Sequence, residues 1–450
     1  MKNLLSRTGT RRALAAATLF VAACSDGGVT NVSTPPSIDT QRRGQFQQWG
    51  ITPILPVAPQ NPALVDLGRS LFFDKLLSGN RDVSCASCHQ ASLALGDARS
   101  LALGTHQQLT PRNAPGLFSV GLGLPYLFWD GRVSQLGFGG NSSIVTPAGP
   151  ALPSGIANLL AAQAMFPVVN RVEMRGQVGD RDAFGNANEL AMPGDTSFTA
   201  IWSAVMNRIT AVTEYAQKLG AAYPGTDVTR LGFQYAANAI AAFEVQSFTK
   251  FNSRFDRYLA RDDGALTATE KEGAMLFFTK ARCSSCHNGP FLGGQQFASV
   301  AVPQIGPGSG SSVPLDIGTG DPSVHGPFQT GKFVFRVAPL RNVELTAPYM
   351  HDGAYPTLEA VVRHYNNVDS AVKSYDPTQL DPSLRSSYHG DAATINALLA
   401  SLDGRLTQPI GLTVEEQKQI VAFLKSLTDP AAQSLASLVP ATVPSGLPVR

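Results

Sequence analysis

Cys85-Ala-Ser-Cys88-His89 and Cys283-Ser-Ser-Cys286-His287 are two copies of one pattern, C-x-x-C-H. Two cysteines three apart present both thiols from a single helical turn, where they bond the two vinyl groups of one porphyrin. The histidine that follows then points back at the iron as a proximal ligand. A zinc site would need two further soft ligands for each pair, and none remain. A dithiol redox motif explains neither the histidine nor the duplication. Five cysteines are present. Four lie in the motifs, and Cys24 ends an N-terminal apolar run. The chemistry indicated is two covalently bound c-type haems, with His89 and His287 as ligands.

Haem attachment of this kind belongs to an exported compartment, and the N-terminus fits that. Lys2, Arg7, Arg11 and Arg12 form a positive region ahead of the apolar stretch Ala13 to Ala23, which is too short to span a bilayer comfortably. Val21-Ala22-Ala23-Cys24 has the form of a bacterial lipobox. Residues 1–24 are therefore expected to be a lipoprotein signal, with Cys24 lipidated and Ser25 directing the mature protein to the outer membrane. Cleavage after small residues, with Cys24 incidental, is the alternative.

The elements that must hold the motifs can be read around them. Residues 25–50 are polar and Pro-rich and are expected to be a flexible tether. Helical spacing over Leu64 to Leu77 precedes the first motif. Gly and Pro punctuate residues 96–115, and residues 137–157 have the composition of an inserted loop. Helices are expected near 197–222 and 228–249. Thr267-x-x-Glu270 and Thr413-x-x-Glu416 are capping boxes, the first opening a helix into the second motif and the second opening a last amphipathic helix. The Pro/Ala/Ser-rich stretch 429–450 is expected to be a loose tail.

A repeat is visible. Gly68-x-x-Leu71-Phe72-Phe73 precedes the first motif, and Gly273-x-x-Leu276-Phe277-Phe278 precedes the second. Arg112-Asn113 is followed by Trp129-Asp130-Gly131, and Arg341-Asn342 by His351-Asp352-Gly353. The fold class expected is mainly α: two cytochrome c-like haem domains with long loops, 51–250 and 251–428, related by internal duplication. A net charge of +2 argues against nucleic acid as a partner.

The ordered series C-x-x-C-H, R-N-x-P, F-W-D-G-R, V-E-M, C-x-x-C-H-x-G-P and L-R-N-V-x-x-T-x-P-Y-M-H-D-G resembles the bacterial diheme cytochrome c peroxidase/MauG family. The resemblance runs over roughly residues 60–428. It implies that hydrogen peroxide is reduced at the N-terminal haem, with electrons passed through the C-terminal haem. It assigns Glu173 as distal acid/base, Pro167 to the distal pocket and Trp129 to a relay between the haems. It also implies an inter-haem calcium held by the Asn113 side chain and the carbonyls of Thr346 and Pro348.

His106 either ligates the first iron in a resting state or faces solvent. Tyr365 stands where the second haem takes its distal ligand, a position filled by tyrosine in the MauG branch. Met350 is the competing choice, and a solvent-facing hydroxyl is the bland one. His351 is expected to hydrogen-bond near the second haem, while His325, His364 and His389 are expected at the surface.

The function implied is that of a periplasmic peroxidase served by a small redox donor, a cytochrome c or cupredoxin. A MauG-type enzyme oxidising residues of a partner protein is the first alternative, and a non-enzymatic diheme carrier the second. Membrane contact is expected only through the N-terminal lipid, and a homodimer is compatible.

Overall fold

The computed structural model describes residues 37–118, 120–137, 143–322 and 330–449. The signal segment with Cys24, and His325, lie outside the described residues. The chain is mainly helical. Among the described residues the strands form a three-stranded antiparallel sheet (Tyr126–Leu127, Val133–Leu136, Ser143–Val145) and one pair, Phe297–Ala298 with Phe335–Arg336. No described helix is long and apolar enough to cross a membrane.

Two helix crossings organise the interior. Pro62–Phe73 begins with proline in its first turn, and the Asn61 side chain accepts the Ala63 N–H at 2.9 Å. It crosses Phe233–Phe248 so closely that a Cβ on Gly68 would lie 1.9 Å from the Ala239 carbonyl oxygen. Ala268–Phe278 opens with the expected Thr267/Glu270 capping box. It crosses Val414–Ser426 in the same manner, with a Cβ on Gly273 falling 1.9 Å from the Gln419 carbonyl oxygen. Only glycine permits either approach.

Aromatic rings pack beside each crossing. Phe72 lies 5.4 Å from both Phe243 and Phe248 in the first. Phe423 lies 5.1 Å from Phe255 and 5.2 Å from Phe277 in the second.

Two segments expected to be loose are instead packed. Within the tether, Ile38–Gln48 is a helix whose buried Phe46 meets Phe278 at 4.7 Å. Asp39 of that helix accepts from the Tyr258 hydroxyl at 2.7 Å. The C-terminal stretch lies on the first core. Ala432, Leu435, Val443 and Leu447 are buried there, and the Ser445 hydroxyl donates to Asp74 at 2.6 Å. These apolar residues follow no helical or strand period, so composition alone concealed their packing.

Residues 143–145, inside the expected insertion, pair with Val133–Leu136 as a strand. The helix expected over 197–222 is broken at Val212 into Phe198–Ala211 and Thr213–Ala222.

Candidate functional site

Cys85–Cys88 is one helical turn capped by Ser84 and Ser87, whose hydroxyl accepts the Ser84 N–H at 2.9 Å. His89 closes that turn, its N–H on the Cys85 carbonyl at 2.9 Å. His287 closes the second turn, Cys283–Ser285, in the same way at 2.8 Å. Each imidazole places Nδ1 3.0 Å from a carbonyl, Leu95 for His89 and Leu292 for His287. A carbonyl only accepts, so Nδ1 carries the proton and the Nε2 lone pair is left for a metal. Burial lowers both pKa values, to about 4 for His287, which keeps the rings neutral. Burial also pushes the Cys88 and Cys283 thiols up to about 12.

A cavity of about 430 Å³ opens on each motif. The first is lined by His89, Pro167, Glu173 and Arg132, and the second by His287, Met350, His351 and Tyr365. Trp129, Asn113 and Arg336 line both. The walls fit a porphyrin. Arg336 donates from Nε to the Phe128 carbonyl at 2.9 Å, while its buried Nη1 has no partner. Both ring nitrogens of the buried His351 are also unpartnered. The carboxylates of a haem would satisfy such donors, and unpaired buried polar groups are otherwise unfavourable.

Glu173 sits in a π-helical turn, Arg171–Arg175, a distortion frequent at functional sites. Asn170 holds the turn by accepting the N–H groups of Val172 and Glu173, each at 3.0 Å. Burial raises the Glu173 pKa, and Arg132 partly offsets that. Arg132 is fixed in turn: it lies 3.6 Å over the Phe128 ring and donates to Asp130 at 2.7 Å. Asp130 also pairs with Arg112, which reaches across to Asp316 at 2.6 Å. Although burial opposes it, Arg132 and Arg112 hold the Asp130 carboxyl well below the usual range.

Trp129 donates its indole N–H to the Asn113 carbonyl at 2.9 Å. The Asn113 N–H donates to the His351 carbonyl at 2.7 Å, and its side-chain amide donates to the Arg99 carbonyl at 2.7 Å. Thr346 and Pro348 line the second cavity with it.

His106 is not brought to the first cavity. Its N–H donates to Asp82 at 2.8 Å, and its Nδ1 lies 3.6 Å from Asp180 with the side chain 47% exposed. Two acids therefore hold this turn outward, in the solvent-facing one of its two expected arrangements. Tyr365 does reach the second cavity. It shares that cavity's wall with Cys283 and Cys286, and burial first, then those thiols, raise its pKa.

His364, expected at the surface, is buried between the Tyr355 hydroxyl and the Val300 carbonyl, each at 2.8 Å. Arg336 and Arg132 escaped the sequence reading of the site. Arg132 stood inside F-W-D-G-R and could have been singled out, whereas Arg336 lies outside any local pattern.

The family described as di-haem cytochrome c peroxidase matches residues 62–264. The cytochrome c551 peroxidase of Nitrosomonas europaea is 30% identical over 69% of this chain and 75% of its own. The methylamine utilization protein MauG of Methylorubrum extorquens is 26% identical over 93% of each chain. A solved MauG-like protein associated with microbial copper homeostasis superposes with a TM-score of 0.56, at 28% identity, covering 86% of this chain and 95% of that one.

Proposed function

The chain belongs to the di-haem cytochrome c peroxidase family and is an oxidoreductase of peroxidase type; from that premise we propose that it reduces hydrogen peroxide in the first cavity and passes oxidising equivalents to the second. The observation that carries this is the shared wall. Glu173 and His89 line one cavity, Tyr365 and His287 the other, and Trp129 lines both.

Haem bound through Cys85 and Cys88, and through Cys283 and Cys286, supplies the redox chemistry. His89 and His287 would hold it through Nε2, which their Nδ1 contacts leave free. Glu173 accepts the proton of the near peroxide oxygen and delivers it to the departing one, a step that suits a carboxyl with a raised pKa. Pro167 and Phe166 shape that wall, and Arg132 tunes the carboxyl. Trp129 relays electrons between the cavities.

The matching glycine crossings, followed by matching histidine turns, support a reading of the two halves as an internal duplication. The halves would divide near residue 250, with 429–449 belonging to the first. Asn113 with the carbonyls of Thr346 and Pro348 supplies hard oxygen donors suited to calcium, water completing the shell. Covalent haem and the N-terminal signal support a periplasmic, lipid-anchored protein.

Tyr365 favours a second reading of the same site. A phenolate at the second iron, as in the MauG branch, stabilises oxidised states and suits long-range oxidation of a partner protein better than uptake of electrons from a cytochrome c or cupredoxin.

Peroxide added to the purified diferric protein, with and without reduced cytochrome c, separates these readings. Rapid cytochrome oxidation supports the peroxidase, and a haem response without it supports partner oxidation. No response of either haem overturns both.

A further inference from the structure

The second cavity is backed by a run of aromatic rings that peroxide reduction does not require. Tyr365 at the cavity wall meets His364 with ring centroids 5.5 Å apart. His364 meets Tyr355 at 5.1 Å, Tyr355 meets Tyr375 at 5.6 Å, and Tyr375 meets Tyr388 at 5.1 Å. The middle members are buried, and Tyr388 reaches the surface half-buried.

Packing alone does not account for these residue types. The cluster around them is aliphatic, with Leu101, Val302, Ile305, Leu380 and Leu384. Phenylalanine would fill the same space with no hydroxyl to satisfy. Instead the Tyr355 hydroxyl lies 2.8 Å from His364 Nδ1, and the Tyr375 hydroxyl donates to the Ala354 carbonyl at 2.6 Å. His364 Nε2 lies 2.8 Å from the Val300 carbonyl. Since that carbonyl only accepts, Nε2 carries the ring proton and Nδ1 accepts from Tyr355.

We propose that this run is a hole relay from the second haem site to a surface oxidation site at Tyr388, which takes phenolic one-electron donors without admitting them to either cavity. The proposal rests on the reading above that peroxide leaves oxidising equivalents at the second site. One electron leaves Tyr355 for the peroxide-oxidised cofactor as the phenolic proton moves to His364 Nδ1, giving a neutral tyrosyl radical beside an imidazolium. Tyr375 conducts without holding, because its carbonyl partner takes no proton. An electron then passes from Tyr388 through Tyr375 to Tyr355, His364 returns the proton, and Tyr388 releases its own proton to water. A phenol at the surface gives Tyr388 one electron and sheds its own proton to water, Tyr388 takes a proton back from water, and the phenoxyl radical leaves to couple with another.

The test uses the diheme holoenzyme, hydrogen peroxide and N-acetyltyrosinamide as the probe phenol. Freeze-quenched wild type should give a radical resonance that narrows when the protein carries ring-deuterated tyrosine. Tyr388→Phe, and Tyr375→Leu, which removes the conducting ring, should each slow dityrosine formation from the probe by roughly tenfold or more, with the haem Soret response to peroxide intact and the Tyr355 radical retained. Tyr388 is half-buried, so its truncation by one hydroxyl leaves the fold in place. Wild-type coupling rates in both variants would overturn the relay. A Soret response without any tyrosyl resonance would overturn the relay while leaving the peroxide chemistry standing, and no Soret response would overturn both.

Discussion

The backbone N–H of Arg336 donates to the carbonyl of Trp129 at 2.7 Å, and both side chains line both cavities. A residue of the late strand Phe335–Arg336 is thus tied to the F-W-D-G-R stretch that walls the first cavity. The pair stands in the wall between the cavities, beside Asn113, which also lines both. The indole is held by Asn113 on one side and the guanidinium by Phe128 on the other.

Trp129→Phe keeps an aromatic ring and removes one hydrogen bond, a loss of about 1 kcal/mol in stability. Haem content should stay at two per chain. Stopped-flow spectra should show the first haem responding to peroxide at the wild-type rate and the second responding late. Unchanged timing at the second haem would remove Trp129 from the path.

Glu173 is raised by burial and lowered by Arg132. Its base form therefore fills only above the ordinary carboxylate range, and peroxide turnover should fall as pH drops through that raised value. Arg132→Gln removes the lowering charge and should move this acid limb to higher pH. Glu173→Gln should abolish the limb and slow turnover by about 100-fold or more. A pH–rate profile that is the same in all three proteins would place the catalytic proton elsewhere.

Much of the site was legible because the signals are local. The haem motifs lie within five residues each, and the same G-x-x-L-F-F pattern, at Gly68 and at Gly273, stands ahead of each. What stayed hidden is held by distant partners. Arg112 meets Asp316 at 204 residues' separation, and Ser445 meets Asp74 at 371. His106 had a plausible position in sequence, but only the placement of Asp82 and Asp180 decides which way its turn faces. His364 looked incidental because its partners, Tyr355 and Val300, are brought to it by the fold.

Tyr365 and Met350 both line the second cavity, so geometry leaves two candidates for the distal ligand. A phenolate is a hard anionic donor that favours ferric iron, whereas a thioether raises the potential. Tyr365→Phe should therefore alter the low-spin ferric spectrum and raise the potential of the second haem. If Met350→Leu produces that change and Tyr365→Phe does not, methionine is the ligand and the MauG-type reading loses its support.

Gly273→Ala would drive a Cβ to 1.9 Å from the Gln419 backbone, where no side chain can yield. The two helices must separate, at a cost of about 1–3 kcal/mol or more. Denaturant unfolding should show that loss, with the second haem's spectrum broadened more than the first. Gly68→Ala should reverse the pattern.

The last expectation concerns the C-terminal stretch. Leu435 and Leu447 are buried in the core of the first crossing, although they lie beyond the helix Val414–Ser426 of the second. Arg69 donates to the Leu438 carbonyl at 2.7 Å, and Asp74, which holds Ser445, also receives the Tyr215 hydroxyl at 2.7 Å. The stretch therefore braces the helix Pro62–Phe73 that leads to Cys85. Leu435→Ala should lose about 2–5 kcal/mol, as expected for a buried leucine. The loss should appear at the first haem rather than at the nearer-in-sequence second one. Thermal melts followed separately at the two haem signals test this, and equal destabilisation of both, or of the second alone, would contradict it.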